Sequence, residues 1–477
     1  MKAKPNETMK RLLFLTLLLT ALVALPTAAK TNRTLTEKDM GAYLFTYFSD
    51  PTHSIHPNNF GFVETTDFKT FTPLGRFGEG RMKLTNFTSP KHGSVIHITK
   101  AEARRLEQYW NGQQQKKKAI RPGELWYDDG GRHINAHGGG VLKYGDTYYW
   151  YGEHKDDRTS NAMVGVMCYA SKDLVNWRNC GVALSVTEPA PRQAGQGARR
   201  RRATTDSDIE RGCILERPKV IYNKVTKKFC MWFHLELKGQ GYNAARYGVA
   251  VSDRPEGPFK FLYSQRANAG TWPVEFDDAA LAVADTLKAS HYKDWTPAWL
   301  KAIAQGLYVK RDFSTGQMSR DMTLYVDDDG RAYHIFSSEE NLTLHIAELT
   351  ADYLHHTGRY TRLAPAGHNE APAIFKHDGT YWMITSGCTG WEPNEARMFS
   401  APSIWGPWTQ HANPCRGPLA EKTFGGQSTF ILSAEGRYIF MADVWRPRRP
   451  RDARYIWLPI EFEQGKPVVR WRDEWQP

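Results

Sequence analysis

Five segments of the chain share one pattern: a strand-like run opens on a polar residue, and an aromatic residue follows 11 to 13 positions later in a second run. A turn that carries Gly or Lys separates the two runs, so each segment predicts a β-hairpin. The openers are His137, Glu216, Asp321, Glu370 and Gln427, and their aromatic partners are Tyr148, Phe229, Tyr333, Tyr381 and Tyr438. A repeated unit of this kind is typical of a radial array, in which the first strand of every unit lies against a central channel.

The segments after four of these hairpins complete the repeat. Each has a third strand and then an Asp or Pro turn that leads to an aromatic residue, in 164–177, 247–259, 343–354 and 396–408. Four strands in each of five units predict a five-bladed β-propeller, which is an all-β fold. Hairpins of sandwiches and barrels also carry Gly and aromatic residues, but an offset that recurs five times favours the propeller. Insertions at 185–212 and 265–318 make the period irregular.

Residues 1–29 have the pattern of a signal peptide. Lys10 and Arg11 precede an apolar run, and small residues precede Lys30. The run is too short for a membrane span, and no later segment approaches the length of about 18 apolar residues that a span needs. We therefore expect an exported protein, periplasmic or extracellular, without a transmembrane segment after signal removal.

Residues 30–120 predict an N-terminal β-rich extension. The segments 41–48 and 59–77 resemble the second and third strands of a blade but lack the polar opener, so they form either an accessory β-unit or strands donated to a blade. A capping box of Thr99 and Glu102 predicts a short helix from Thr99 to Trp110. The Lys-rich connector at 116–118 marks the boundary, and we expect 121–477 to form the catalytic propeller.

The formal net charge of +12 does not indicate a nucleic-acid partner. Residues 1–29 carry +3 and the arginine run at 199–202 carries +4, which leaves only +5 over the rest of the 477 residues. The arginine run stands in a Gly-, Ala- and Thr-rich insertion that is typical of a solvated loop.

The six cysteines have neither a CxxC pair nor the spacing of a zinc site. Export permits disulfides. Pairing of Cys213 with Cys230, and of Cys168 with Cys180, is compatible with the predicted hairpins. Buried free thiols are equally compatible, because a core of this size is stable without disulfides.

Three of the five openers are carboxylic acids, and acids at the mouth of a channel suit the cleavage of glycosidic bonds. That reaction needs a protonated acid at the leaving oxygen and a second group that activates water or attacks carbon. Burial and neighbouring carboxylates both raise the pKa of a carboxyl group. Glu370 has no adjacent cation, whereas Glu216 precedes Arg217 and Asp321 follows Arg320. Glu370 is therefore the predicted proton donor.

The other polar positions have less specific roles. Gln427 is a poor base, but its carbonyl oxygen can orient a water, with Glu216 or Asp321 as the ionised partner. His137 stands in a Gly-rich turn and is an axial residue near the substrate, a metal ligand or, more simply, a structural residue. Glu153 ends a second strand and is a candidate for binding a sugar hydroxyl. Candidate stacking platforms for sugar rings are Tyr242, Trp391 and Trp445.

At this point the motifs resemble a family. The motifs, spread over about 125–465, are INAHGGG with YYWYGE, ERPKVIYN, SRDMTLYVDDDG, NEAPAIFKHDGTYWMITSGCTGW and FGGQSTF. Together they are similar to glycoside hydrolase family 43 and in particular to its exo-β-1,3-galactanase branch. The resemblance implies a five-bladed propeller and an inverting hydrolase that removes galactose from the β-1,3-galactan backbone of arabinogalactan. It also implies that Glu370 is the general acid and that Gln427 takes the place of the base. Asp321 and Glu216 would position the substrate and tune the acid, and Tyr242 would line the sugar site.

One position departs from the family. Most members have an Asp base in the first blade, where this chain has Ala136 and His137. The departure favours the galactanase branch over an α-L-arabinofuranosidase or β-xylosidase on the same fold. A Gln base would have to act as an unusual tautomer or only place the water. An inverting reaction requires the acid and the water-activating group to stand roughly 6.5–9.5 Å apart.

Two further expectations concern partners and class. We expect a polysaccharide or oligosaccharide substrate, no nucleic acid, no metal in the catalytic site and no required cofactor; a structural calcium ion in the channel is compatible with the fold but not indicated. A catalytically silent carbohydrate-binding propeller is the alternative outside the enzymes, because it would keep the aromatic cleft and dispense with a buried acid.

Overall fold

The computed structural model describes residues 40–48, 60–65, 72–76, 92–104, 117–188 and 207–477. The predicted signal peptide and the arginine run lie outside these residues. The chain divides into two compact units, Met1–Gln113 and Gln114–Pro477. Within the described parts of the chain, no helix has the length and apolar character of a membrane span.

The first unit contains a four-stranded antiparallel sheet with the strand order β3-β2-β1-β4. Its strands are β1 (Met40–Phe48), β2 (Phe60–Thr65), β3 (Thr72–Arg76) and β4 (His92–Thr99). These strands pair with one another in the antiparallel sense. The capping box is present, because Glu102 N–H donates to Thr99 Oγ1 at 3.2 Å and Thr99 N–H donates to the Glu102 carboxylate at 2.9 Å. Residues 100–104 are helical.

The second unit is a five-bladed β-propeller, as predicted. Neighbouring strands within each blade pair antiparallel, and each blade is built from consecutive strands apart from one added edge strand in blade 5. The strands of blades 1 to 3 are β5 (His137–Tyr144), β6 (Thr147–Glu153), β7 (Gly165–Ser171), β8 (Arg178–Ser185), β9 (Ile214–Asn223), β10 (Lys228–Glu236), β11 (Arg246–Ser252), β12 (Lys260–Gln265), β13 (Met322–Val326), β14 (Ala332–Ser338), β15 (Thr343–Leu349) and β16 (His356–Leu363). The strands of blades 4 and 5 are β17 (Asn369–His377), β18 (Thr380–Gly387), β19 (Arg397–Ala401), β20 (Thr409–His411), β21 (Cys415–Arg416), β22 (Gln427–Ala434), β23 (Arg437–Val444), β24 (Arg454–Glu463) and β25 (Lys466–Arg470). Strand β21 is the edge strand, paired parallel to β25.

The first strands of the five blades form a closed ring. Strands β5, β9, β13, β17 and β22 each contact the next, and β22 contacts β5. A bridge between Ile120 and Trp475 joins the two ends of this unit. An apolar cluster fills the space between every two neighbouring blades, and its largest fully buried side chains include Trp150, Trp232 and Trp457. The apolar side chains of adjacent blades thus pack face to face.

The insertion between blades 2 and 3 is helical, which the sequence pattern did not indicate. It contains α1 (Asp278–Thr286), a 3₁₀ turn (Ala289–His291), α2 (Pro297–Ala304) and α3 (Leu307–Arg311). Asp277 caps α1 through its side chain, and Thr296 caps α2 just before a Pro at the first helical position. A sixth apolar cluster, with Trp299 and Leu342, packs the insertion on the rim of the propeller.

All six cysteines are free thiols. Cys213 lies in the apolar cluster between blades 1 and 2, whereas Cys230 lies in the cluster between blades 2 and 3. Pairing of these two cysteines is therefore ruled out by the fold, because their side chains point to opposite faces of blade 2.

Candidate active site

Polar openers from four blades meet in one pocket of about 280 Å³ at an end of the channel. The pocket brings together eight of the nine site residues predicted from the sequence: Glu153, Glu216, Tyr242, Asp321, Glu370, Trp391, Gln427 and Trp445. It also contains residues to which the sequence analysis gave no role in the site: Lys155, Arg217, His234, Arg320, Asn341 and Gly390.

His137 is the exception, because it does not line the pocket. The side chain is fully buried, its ring stacks on Tyr455 with centroids 5.5 Å apart, and its Nδ1 lies 3.3 Å from the Tyr455 hydroxyl. Burial holds the pKa of His137 well below its usual value, so the ring is neutral. The structural role in the Gly-rich turn is the one that fits.

Bulges at the start of the inner strands aim side chains into the pocket. In blades 1, 2 and 4 the residue after the opener has a left-handed backbone, with φ 58° at Gly138, 55° at Arg217 and 55° at Ala371. The strand register shifts at each of these places. A bulge breaks the alternation of a strand, so two successive side chains can face the same side. Glu216 and Arg217 therefore both line the pocket.

Arg217 organises the centre of the site, a role that the sequence analysis did not give it. Its Nη2 donates to Asp321 at 2.8 Å and to Gln427 Oε1 at 2.6 Å, and its Nη1 donates to the Ser428 carbonyl at 3.0 Å. In the sequence, Arg217 adjoins Glu216 and Arg320 adjoins Asp321. The structure pairs Arg217 with Asp321 instead, while Arg320 donates to Glu340.

The amide of Gln427 has a single orientation. Its oxygen accepts from Arg217 and from the Trp445 indole N–H at 2.8 Å, and both of these groups only donate. Its nitrogen must therefore face the other side, where it donates to Glu370 Oε1 at 2.8 Å and to Ser386 Oγ at 3.0 Å. Both lone pairs of the amide oxygen are engaged. An imidic acid tautomer would place an O–H opposite two donors, so these contacts favour the ordinary amide.

Glu370 keeps its proton at neutral pH. Burial and then the charge of Asp321 raise the pKa of Glu370 to about 8, although Arg217 acts in the opposite direction. Its second oxygen is 3.4 Å from the Asn341 amide nitrogen. A carboxyl group that stays protonated near pH 7 has the property that a general acid needs.

Glu216 is the ionised counterpart. His234, Lys155 and the hydroxyl of Tyr242, which donates at 3.0 Å, outweigh the desolvation of the carboxyl and lower its pKa to about 2. His234 lies between Glu216 and the buried Glu236, and these two carboxylates raise the pKa of the imidazole to about 9. The imidazolium thus fixes a carboxylate at the pocket wall.

The acidic groups of the pocket are already neutralised by cations of the chain. Glu216, His234 and Asp321 offer ligand atoms within 4.8 Å of one another, which is close enough for a metal ion. However, Arg217 lies 2.8 Å from Asp321, and Lys155 lies 3.9 Å from Glu216. A metal ion would have to compete with these ammonium and guanidinium groups, so this donor set fits a cation poorly.

A further buried cation lies behind the openers. Lys219 Nζ donates to the Gly138 carbonyl at 2.8 Å, and burial followed by the charge of Arg217 lowers its pKa to about 7. Its alkyl chain lies so close to Gly140 that a Cβ there would approach Lys219 Cδ to 2.6 Å. The Gly-rich run of β5 thus makes room for the lysine.

The contact between Glu370 and Gln427 is much shorter than an inverting reaction requires. The two side chains are hydrogen-bonded at 2.8 Å, whereas a water and a sugar between an acid and its partner need roughly 6.5–9.5 Å. The Gln427 N–H donates to Oε1 of Glu370, so the acidic proton is carried by Oε2, the oxygen on the Asn341 side.

Comparison with known proteins adds independent findings. The sequence profile of Glycosyl hydrolases family 43 matches residues 299–452. The family 43 β-1,3-galactosidase BT3683, solved with galactodeoxynojirimycin, is 54% identical with a TM-score of 0.69, over 75% of this chain and 100% of that chain. The exo-β-1,3-galactanase of Phanerochaete chrysosporium, solved with galactose, is 32% identical with a TM-score of 0.58, over 75% of this chain and 68% of that chain. An exo-β-1,3-galactanase from Clostridium thermocellum is 34% identical with a TM-score of 0.58, over 75% of this chain and 66% of that chain. No protein with a curated description matches the chain.

Proposed function

The chain belongs to glycosyl hydrolases family 43 and is a glycoside hydrolase, and we propose that it is an inverting exo-β-1,3-galactanase. The observation that carries the proposal is the buried Glu370, with a pKa of about 8, in one pocket with the ionised Glu216. The likeness to solved β-1,3-galactosidases and β-1,3-galactanases supports galactose as the sugar that is released. As the polymer we propose the galactan backbone of arabinogalactan, met outside the cytoplasm after removal of the predicted signal peptide.

The acid step belongs to Glu370. Its proton passes to the glycosidic oxygen as the bond from that oxygen to the anomeric carbon breaks, and the leaving chain departs as an alcohol. The Glu370 carboxylate that remains is stabilised by the positive charge of Arg217, which favours the ionised form. Arg217 thus lowers the pKa of Glu370 before the proton is transferred and stabilises the Glu370 carboxylate afterwards.

In an inverting reaction the water attacks the anomeric carbon from the side of the sugar opposite the leaving oxygen. The oxygen of Gln427 is held by Arg217 and Trp445, and its two N–H groups donate to Glu370 and Ser386, so Gln427 places a water by releasing one of these two N–H contacts. The proton that this water loses needs an ionised acceptor. Among the carboxyl groups that line the pocket, Glu216 and Asp321 are the acceptors that we propose.

The test is galactose release from a β-1,3-linked galactan by the wild type, Glu370→Gln and Gln427→Ala. We expect release by the wild type and a loss of about 10²- to 10⁴-fold in the Glu370 variant, the range for removal of a general acid. The matched control is Glu435→Gln, because Glu435 is an exposed carboxylate in the β22–β23 turn. Inversion at a β-linkage makes α-galactose the first product, which proton NMR distinguishes from the β-anomer.

Two results would overturn the proposal. A wild type that binds the galactan without releasing galactose would be a carbohydrate-binding propeller. A wild type that releases arabinose or xylose, but no galactose, would place the protein with the other family 43 specificities.

A further inference from the structure

The insertion between blades 2 and 3 holds an exposed tryptophan in an unfavourable backbone conformation. Trp295 is 62% exposed, although a ring of this size normally gains by burial. Its φ is 64°, in the left-handed region where a bulky residue is an outlier. The cap of α2 does not require the indole, because the side chain of Thr296 supplies it. The chain therefore holds an indole ring in water at the expense of local strain.

Trp295 stands on a rigid part of the molecule. The guanidinium of Arg362, in strand β16, donates to the carbonyls of Ile303 at 2.8 Å and Ala304 at 2.9 Å, at the end of α2. The carboxylate of Glu275, at the start of the insertion, accepts from Thr361 Oγ1 at 3.0 Å. These contacts fix the insertion to blade 3, so the ring has a defined position relative to the pocket.

The ring packs on the segment that leads into the strand of the catalytic acid. The Trp295 ring lies 5.1 Å from the ring of His368 and 5.3 Å from the ring of Trp299, centroid to centroid. His368 precedes Glu370 by two residues, and its backbone N–H donates at 3.1 Å to the carbonyl of Leu342, the residue after Asn341 of the pocket wall. One residue, His368, thus connects Trp295 to both Glu370 and Asn341.

A chain of ion pairs joins the same insertion to the pocket wall. Arg311 of α3 lies 3.2 Å from Glu340, and Glu340 lies 2.9 Å from Arg320, which lines the pocket. The neighbouring Asn341 also lines the pocket and approaches Glu370. The insertion that carries Trp295 is therefore tied to the pocket wall by charged side chains.

We propose that Trp295 is a stacking platform for a galactosyl residue on the leaving-group side, outside the pocket. The inference rests on the proposed function and deepens it. The pocket, of about 280 Å³, is smaller than the roughly 300–1,000 Å³ of sites that enclose a whole drug-sized ligand, so a polymer must continue over the rim. Because Glu370 protonates the leaving oxygen, the leaving chain passes on the Glu370 side, where Trp295 is.

The chemistry of the ring fits this occupant. One face of a galactopyranose carries several C–H groups and no hydroxyl pointing outward, so it is apolar enough to stack on an indole, while the hydroxyls at its edge stay in water. Such a contact needs no charge, which agrees with a neutral galactan.

The test measures kcat/KM as a function of chain length. Wild type, Trp295→Ala and Trp295→Phe are compared on an aryl β-galactoside and on β-1,3-galacto-oligosaccharides of two to five residues. We expect Trp295→Ala to lower kcat/KM by about twofold to tenfold on the longest substrates, mainly through KM, and to leave the aryl galactoside and the disaccharide unchanged. Trp295→Phe should recover part of the loss. The control is Val225→Ala, which changes an exposed apolar side chain in the β9–β10 turn.

The possible results distinguish a failure of this inference from a failure of the proposed function. If the wild type is active and Trp295→Ala behaves alike on all chain lengths, the platform is refuted and the galactanase function stands. A lower melting temperature with an unchanged length profile would make Trp295 a packing residue and refutes the platform as well. If the wild type releases no galactose from any substrate, the proposed function is refuted and the platform with it.

Discussion

Replacing Asp321 by Asn should move the basic limb of the pH–activity profile to lower pH. Asp321 raises the pKa of Glu370 by its charge, and it also engages Arg217 at 2.8 Å. The change removes a like charge and leaves the arginine to act on Glu370 without its partner. Both effects lower the pKa of Glu370, while burial still keeps it above its ordinary value.

The size of the effect follows from the titration of one group. With a pKa of about 8, Glu370 is about nine-tenths protonated at pH 7. A lost neighbouring charge shifts a carboxyl pKa by on the order of one to two units. The protonated share at pH 7 then falls to between about a half and a tenth, and activity should begin to fall about one to two pH units earlier.

The assay is kcat/KM against pH on β-1,3-galactobiose, because kcat/KM reports the pKa values of the free enzyme. A dinitrophenyl β-galactoside gives an internal control: its leaving group needs no proton, so its basic limb should not follow Glu370. Glu435→Gln should reproduce the wild-type profile. A limb of Asp321→Asn that stays in place, or moves to higher pH, would refute the electrostatic reasoning even if the variant is slower for other reasons.

Three further predictions concern other buried residues of the propeller. Arg217→Lys should lower kcat by at least tenfold with little change in melting temperature, since a lysine cannot hold Asp321 and Gln427 together; an unchanged kcat would refute the role of the guanidinium. The pKa values of His334 and His356 are lowered, the latter to about 3, so the folded state binds their protons less well than the unfolded state. Urea unfolding should therefore show stability falling below about pH 6.5, and His356→Gln should reduce that slope by about 1.4 kcal/mol per pH unit. Gly140→Ala should reduce thermal stability, because its Cβ would meet Lys219 and Phe430; an unchanged melting temperature would show that the lysine can move.

The positions of the openers were predictable from the sequence because hairpin spacing is local. An opener and its aromatic partner belong to one β-hairpin, so the pattern places both without knowledge of the other blades. The register confirms this, since Tyr381 pairs with Lys376 and Tyr438 with Ser433, at the turn end of each hairpin away from Glu370 and Gln427. The number of blades and the four openers in the pocket followed from the same count.

The role of Arg217 was not predictable in the same way. Alternation along a strand places it on the face opposite Glu216, and only the left-handed residue at the bulge reverses this. The sequence feature that could have indicated the role of Arg217 was its position directly after an opener, the position that Gly138 and Ala371 occupy in other blades. Pairing with Asp321 is a contact between blades, and no spacing within one hairpin encodes it. His234 is a different case, because it lies opposite Glu216 in the register of the β9–β10 hairpin, so the spacing within that hairpin was a signal that could have found it.

The bridge between Ile120 and Trp475 makes the propeller suitable for circular permutation. Their backbones exchange hydrogen bonds of 2.8 and 3.0 Å, so the two ends of the propeller are adjacent in space. A short linker from Pro477 to residue 117 can therefore join them, and new termini can be opened in an exposed turn such as that at Val225. The permuted propeller would keep all five inner strands in the same circular order. It would also separate the catalytic ring from the preceding β-unit, so each can be assayed alone.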